Sequence, residues 1–185
     1  MTMILVVGPS GSGKDTLIQA ARHHFGRRRG LIFARRYITR PPGDHEDNYY
    51  IGRDGFLVLQ MAGFFLSSWQ VHGLHYGIAR SDCFPENSAG AVLASVSRSV
   101  IGDFETRLDD VITIQVWAGR EVLEQRLRCR GRESGEAIRK RLLRANTPVR
   151  ARKLIPFDNS GEKEVSRKSF VGLLERLVTC RQVVV

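Results

Sequence analysis

Residues 3–7, "MILVV", form an uninterrupted apolar run of strand length, and "GPSGSGK" follows at once without a single large apolar side chain. A continuous run of this kind marks a strand buried on both faces. The glycine-rich stretch reads as a loop opening a helix that runs to about Phe25. "LIFARRYIT" predicts a second strand ending at Thr39, and "RPPGDHEDNYYIGRDG" is turn-rich. Residues 56–80 are mixed, with short strands expected around "HGLHYGI". "GAVLASVS" and "VITIQVW" are β-branched apolar runs that predict two further central strands. "REVLEQRLRCR" predicts a helix, and "SGEAIRKRLLRAN" another with Ser134 as N-cap. "LIPFDNSG" predicts a last strand and turn, after which residues 162–181 place Val165, Leu173, Leu174, Leu177 and Val178 on one helical face. Strands alternating with helices imply an α/β fold, a parallel core sheet with helices on both faces.

Length and composition narrow this picture. At 185 residues, 42% of them apolar, the chain suffices for one α/β domain with small insertions and not for two large domains. The run Met3–Val7 is too short for a membrane span or a signal-peptide core, so no membrane role is expected. Cys83, Cys129 and Cys180 form neither a metal spacing nor an even disulfide set, and the histidines show no ligand pattern. A reduced, cytoplasmic setting follows as the expectation. The net charge of +10 directs attention to anionic partners. Only Lys14, Lys140, Lys153, Lys163 and Lys168 are lysines, so arginine supplies most of the charge, with its planar fork suited to phosphate. Genomic base composition also enriches arginine, and charge alone does not separate the two causes.

The loop after the first strand carries the chemistry. Gly8, Pro9, Ser10, Gly11, Ser12, Gly13 and Lys14 match the phosphate-binding P-loop G-x-x-x-x-G-K-S/T up to its last position, where Asp15 replaces the hydroxyl and Thr16 follows. Such a turn gathers backbone N–H groups and a helix N-terminus around one anion, here a nucleotide's phosphates. Lys14 then reaches the β- and γ-phosphates. The missing hydroxyl ordinarily helps to bind Mg²⁺ beside an acid ending a neighbouring strand. The neighbouring strands here end in "ASVS" and "QVW", without a carboxylate. Two readings of Asp15 stand open: it supplies the Mg²⁺ carboxylate itself, or it serves only the helix terminus, where negative charge is also favourable.

Further along, Arg126, Arg128, Arg130 and Arg132 cluster in "EQRLRCRGRE", near Glu121 and Glu124, with Arg139, Arg141 and Arg144 in the next helix. Arg126 and Arg130, four apart, share a helical face and repel unless an anion or an acid lies near. A lid closing over a transferring phosphoryl group uses such a pattern. Together the P-loop, "TR" before a turn, "VHGLHYG", "RLRCRGR" and "NSG" before the last helix resemble the guanylate kinase branch of the P-loop phosphotransferases. That resemblance spans nearly the whole chain. It implies a P-loop NTPase fold with a core at 1–35, 87–126 and 149–185, a substrate-binding insertion at about 36–86 and an arginine-rich lid at about 127–148.

The departures from that branch are informative. Gly43 stands where the second arginine of T-R-x-x-R belongs, Ser67 where a guanine-reading Glu belongs, Ile78 where a hydroxyl follows "YG", and Ser97 where a strand supplies an acid. A purine edge left without those partners is strongly rejected. "GPSGSGKD", "RYITR", "GLHYG" and "SRS" together resemble the ribose 1,5-bisphosphate phosphokinase family. The resemblance implies Mg²⁺ and ATP as cofactor and co-substrate, ribose 1,5-bisphosphate as acceptor and phosphoribosyl diphosphate as product, in phosphonate degradation. It implies Lys14, Arg130, Arg132 and Arg141 as catalytic residues. Arg40 and Tyr76 are the implied acceptor residues, with Tyr49 added near a phosphate-binding tyrosine of the wider branch despite a length difference in that loop. Arg98 joins them because it follows the strand end "ASVS", where α/β sheets place ligands, with an ordinary surface arginine as the other reading. His72, His75, Phe65 and Trp69 are expected to pack or to line the pocket. Three rivals remain: another nucleoside or sugar monophosphate kinase, a non-catalytic binding module, and nucleic-acid binding, against which the lack of aromatics among the arginines argues. A monomer or homodimer is expected.

Overall fold

A computed structural model of the chain describes residues 1–26, 30–41, 47–71, 73–84, 90–129, 135, 138–139, 142–143 and 147–179. Its centre is a five-stranded, all-parallel sheet in the order β2-β7-β1-β8-β9. The strands are β1 (Thr2–Val7), β2 (Leu31–Phe33), β7 (Ala91–Ser95), β8 (Val111–Trp117) and β9 (Leu154–Asp158). Every residue of β1 is buried, as its central place requires. Its alternate side chains feed two cores. Ile4 and Val6 join Leu17, Ala21 and Phe25 of α1 (Lys14–Phe25) and Phe170 and Leu174 of the C-terminal helix Lys163–Thr179. Met3, Leu5 and Val7 join Val100, Ile101 and Phe104 on the other face. Those belong to a 3₁₀ turn, Arg98–Val100, and α4 (Ile101–Arg107).

A second sheet, β4-β3-β6-β5, is built from β3 (Arg36–Ile38), β4 (Asn48–Tyr50), β5 (Phe65–Val71) and β6 (Leu74–Ala79). Its register sorts side chains by face. Ile38 lies opposite Tyr76, Arg36 opposite both Ile78 and Asn48, and Trp69 opposite Tyr76, so these share one face. Tyr37, Tyr49 and Gly77 occupy the other, where Phe56 of α2 (Arg53–Met61) stacks on Phe65. Two short helices, α3 (Arg80–Cys83) and α5 (Arg120–Cys129), follow β6 and β8, and the C-terminal helix is α6. No helix among the described residues is long and apolar enough to cross a membrane.

Several expectations are corrected. "LIFARRYIT" is two strands in different sheets, because the chain leaves the core between Phe33 and Arg36. The turn-rich segment contains β4 and the start of α2. The helix over 101–107 was not anticipated. In α6 the buried stripe is Ser166, Phe170 and Leu174, and Val165, one position off it, is 57% exposed. The N-cap expected at Ser134 lies outside the described residues.

Candidate active site

β1 stops at Val7 and the chain turns through residues 8–13 into α1. The sheet runs β2-β7 to one side of β1 and β8-β9 to the other, so this loop sits at the carboxyl end of the central strand, where the connections change direction. Gly13, at φ 86° and ψ 14°, caps α1 in the left-handed region without any side-chain cap. No side chain at the cap position competes for the helix terminus, whose dipole favours an anion. A Cβ at Gly8 would overlap the Val116 carbonyl oxygen, and one at Gly13 the Asn159 amide. The loop therefore holds its shape only with glycine at both places.

Lys14 folds back over this turn. Its Nζ donates to the carbonyl oxygens of Gly8 at 2.8 Å and Pro9 at 2.9 Å, and lies 3.4 Å from Ser12 Oγ. Ser12 is buried, and its carbonyl accepts from Asn159 Nδ2 at 2.6 Å. Arg126 Nη2 donates to the Asn159 carbonyl at 3.0 Å, tying α5 to the same turn. Asp158 accepts from the Ser160 hydroxyl, whose oxygen in turn accepts from Gly119 N–H. "DNSG" is thus a clamp on the P-loop, a role the sequence reading missed. The signal was an asparagine directly after a buried strand, a residue whose amide can serve a neighbouring backbone.

Asp15 lies in the first turn of α1, where a carboxylate suits the helix dipole, and Thr16 is half-buried beside it. Asp15 Oδ1 is 3.2 Å from Arg36 Nη2, a partner not foreseen. Arg36 also donates from Nε to Asn48 Oδ1 at 3.1 Å and approaches Ser95 Oγ at 3.5 Å. These side chains line a cavity of about 220 Å³ together with Arg22. Arg22 is paired with Asp47 at 2.6 Å, and burial lowers its pKa.

Of the expected acceptor residues, Tyr76 stands on the Arg36 face of the second sheet, stacked on Trp69 with centroids 5.6 Å apart and planes 5° apart. Arg40, just past β3, donates to the Pro41 carbonyl at 3.0 Å. Arg98 opens the turn after β7 and donates to the Thr147 carbonyl at 2.8 Å, and burial lowers its pKa also. Tyr49 is a correction. Pairing with Tyr37 puts it on the opposite face, its ring 4.9 Å from Tyr37 and 5.3 Å from the Arg35 guanidinium. Asn48 takes the position on the Arg36 face, because side chains alternate along a strand.

The departures from the guanylate kinase pattern are visible too. Ile78 is fully buried, and Ser67, 4% exposed, donates to Asp103 Oδ2 at 2.7 Å. Ser97 Oγ accepts from Ser99 N and caps the 3₁₀ turn. Arg126 turns inward, while Arg128 faces solvent and pairs with Glu124 at 2.6 Å. Arg130, Arg132 and Arg141, with Gly43 and His72, lie outside the described residues. His75 packs against Phe56. Among the described residues no three His, Cys, Asp or Glu stand together as metal ligands.

No protein-family model matches the chain. Among solved structures, guanylate kinase from Anaplasma phagocytophilum has the same fold, with a TM-score of 0.64 at 19% identity over 99% of this chain and 90% of that one. Among sequences, the chain is similar to the ribose 1,5-bisphosphate phosphokinase PhnN of Rhizobium etli, 38% identical over 178 residues that span 95% of this chain and 90% of the relative. The PhnN protein of Acidiphilium cryptum is 38% identical over 94% of this chain and 92% of its own length. With that likeness over nearly its whole length, the chain belongs to the ribose 1,5-bisphosphate phosphokinase family.

Proposed function

We propose that this chain transfers the γ-phosphoryl group of ATP to ribose 1,5-bisphosphate, giving 5-phosphoribosyl 1-diphosphate. The observation that carries the reading is the glycine turn before α1. It has an uncapped helix terminus, no room for a Cβ at Gly8 or Gly13, and the Lys14 ammonium poised over it. That arrangement suits a nucleotide's phosphates. Mg²⁺ fits as well, since it is usually held by one or two carboxylates plus substrate phosphates, and Asp15 is the carboxylate at the loop's edge. When bound, Mg²⁺ neutralises developing charge on the phosphate oxygens.

The protein's own tasks are positioning and charge. A phosphate monoester has a second pKa of about 6 and is largely dianionic at neutral pH, so its oxygen attacks without a general base. The loop N–H groups and Lys14 would hold the donor phosphates in line with it. Arg40, Tyr76 and Arg98 would hold the acceptor. A guanidinium as desolvated as that of Arg98 gains from an anionic neighbour. The lid arginines Arg130, Arg132 and Arg141 would close over the transferring group. A reducing, cytoplasmic setting is part of the reading, Cys83 and Cys129 both being free thiols.

Initial rates of ADP release on ribose 1,5-bisphosphate, ribose 5-phosphate, GMP and UMP test this. The expected result is fast turnover on the bisphosphate alone. Turnover on GMP would show that burying Ile78 and Ser67 does not exclude guanine. Silence on all four would favour the non-catalytic binding module.

A further inference from the structure

The cavity beside the phosphate loop runs along the flank of α1, from Asp15 in its first turn to Arg22 about two turns later. At about 220 Å³ it is smaller than the range of about 300–1,000 Å³ usual for larger ligands. Its floor is the end of β7 at Ser95, and Arg36 enters it from β3. Two arginines serve this space, and they are differently committed. Arg22 is bound tightly by Asp47, which Arg35 also holds at 3.0 Å. Arg36 has only slack contacts at its fork, 3.2 Å to Asp15 and 3.5 Å to Ser95. Charge-assisted N–H···O bonds run at about 2.7–2.9 Å. Its Nε donates to Asn48 at 3.1 Å, so Asn48, Asp15 and Ser95 together aim the guanidinium while none of its contacts is a short charge-assisted bond.

We propose that Arg36 determines specificity by binding the acceptor's second phosphate, the one that does not receive the phosphoryl group. Asn48 orients the guanidinium, and Asp15 is its counter-ion until that phosphate replaces it. The side chain of Arg36 is 19% exposed, so the phosphate meets a cation already largely desolvated. The cavity extends from Asp15 along the flank of α1 to Arg22, and Lys14 does not line it. This rests on the acceptor being a bisphosphate, as proposed above.

Ribose 5-phosphate is the direct probe, since it carries only the non-reacting phosphate. Calorimetric titration of the full chain should show that Arg36→Gln weakens its binding by about 10- to 100-fold. Arg36→Gln should raise KM for ribose 1,5-bisphosphate by a similar factor, with a smaller change in kcat. Arg36→Lys should recover only part, because a point charge lacks the fork. If Arg36→Gln does not fold, Arg36→Lys and Asn48→Ala carry the test, each with weakened ribose 5-phosphate binding. Unchanged binding in these variants, no binding to the wild type, or a loss confined to kcat with KM unchanged would overturn the assignment. Wild-type turnover of the bisphosphate is measured first. Its absence sinks the proposed function itself, whereas its presence with an indifferent Arg36 sinks only this inference.

Discussion

Lys14 rests on the carbonyls of its own loop, and those contacts are what donor phosphates would replace. Lys14→Ala should therefore lower kcat by at least about 10²-fold, the scale for removing one transition-state charge partner, while circular dichroism stays at wild type. Cys83 gives an independent residue-scale check. Burial, aided by Asp82, pushes its thiol up to about 12. A folded pKa above the unfolded one means a contribution fully present below about pH 8.5 and lost as pH rises through 12. Denaturant titrations should show stability falling on the alkaline side, with a shallower fall in Cys83→Ala. An unchanged slope would refute the assignment. Native alkylation at pH 7.5 read by mass spectrometry should label exposed Cys129 and spare Cys83. At this scale the sequence revealed Gly8 to Asp15, because contiguous residues form the whole loop. Arg36, Asn48 and Asn159 escaped notice because each acts through a partner remote in sequence, Asp15, Arg36 and Ser12 respectively.

Among the elements, β1, β7 and β8 were legible because a strand buried on both faces writes itself as an unbroken apolar run. β3 was legible as strand but not as separate from β2, and β4, three residues inside a turn-rich stretch, has no periodicity to announce it. Their pairing decides that Tyr49 turns away and Asn48 turns in, and pairing is invisible to local pattern. α6 shows a finer error: Val165 belongs to the apolar set by composition but lies one position off the Ser166, Phe170, Leu174 stripe. Phe170→Ala should lower unfolding free energy by about 3–5 kcal/mol. Val165→Ser should change it by no more than about 0.5 kcal/mol. Equal effects, measured by denaturant titration, would contradict the packing. The clamp between β9 and the loop makes its own prediction. Asn159→Ala leaves the buried Ser12 carbonyl unpaired, with a stability loss of about 1–3 kcal/mol and a raised KM for ATP.

For the whole molecule, the net charge of +10 correctly indicated anions but not where they bind. Some arginines serve the fold: Arg126 braces the loop clamp and Arg22 bridges to Asp47. The sheet order, with β1 at its centre, places the donor loop, the Arg36 cavity and the turn bearing Arg98 around the carboxyl ends of β1 and β7. One face of the second sheet carries Arg36, Tyr76 and Ile78, and Ile78 is buried in the core rather than offering a polar group. The central claim is that phosphate, not hydroxyl, accepts the phosphoryl group. The most direct test is phosphorus NMR of the product formed from ATP and ribose 1,5-bisphosphate. Two mutually coupled diphosphate doublets beside an unchanged 5-phosphate singlet are predicted. A new monoester singlet, or ATP hydrolysed to free phosphate with the bisphosphate intact, would contradict it.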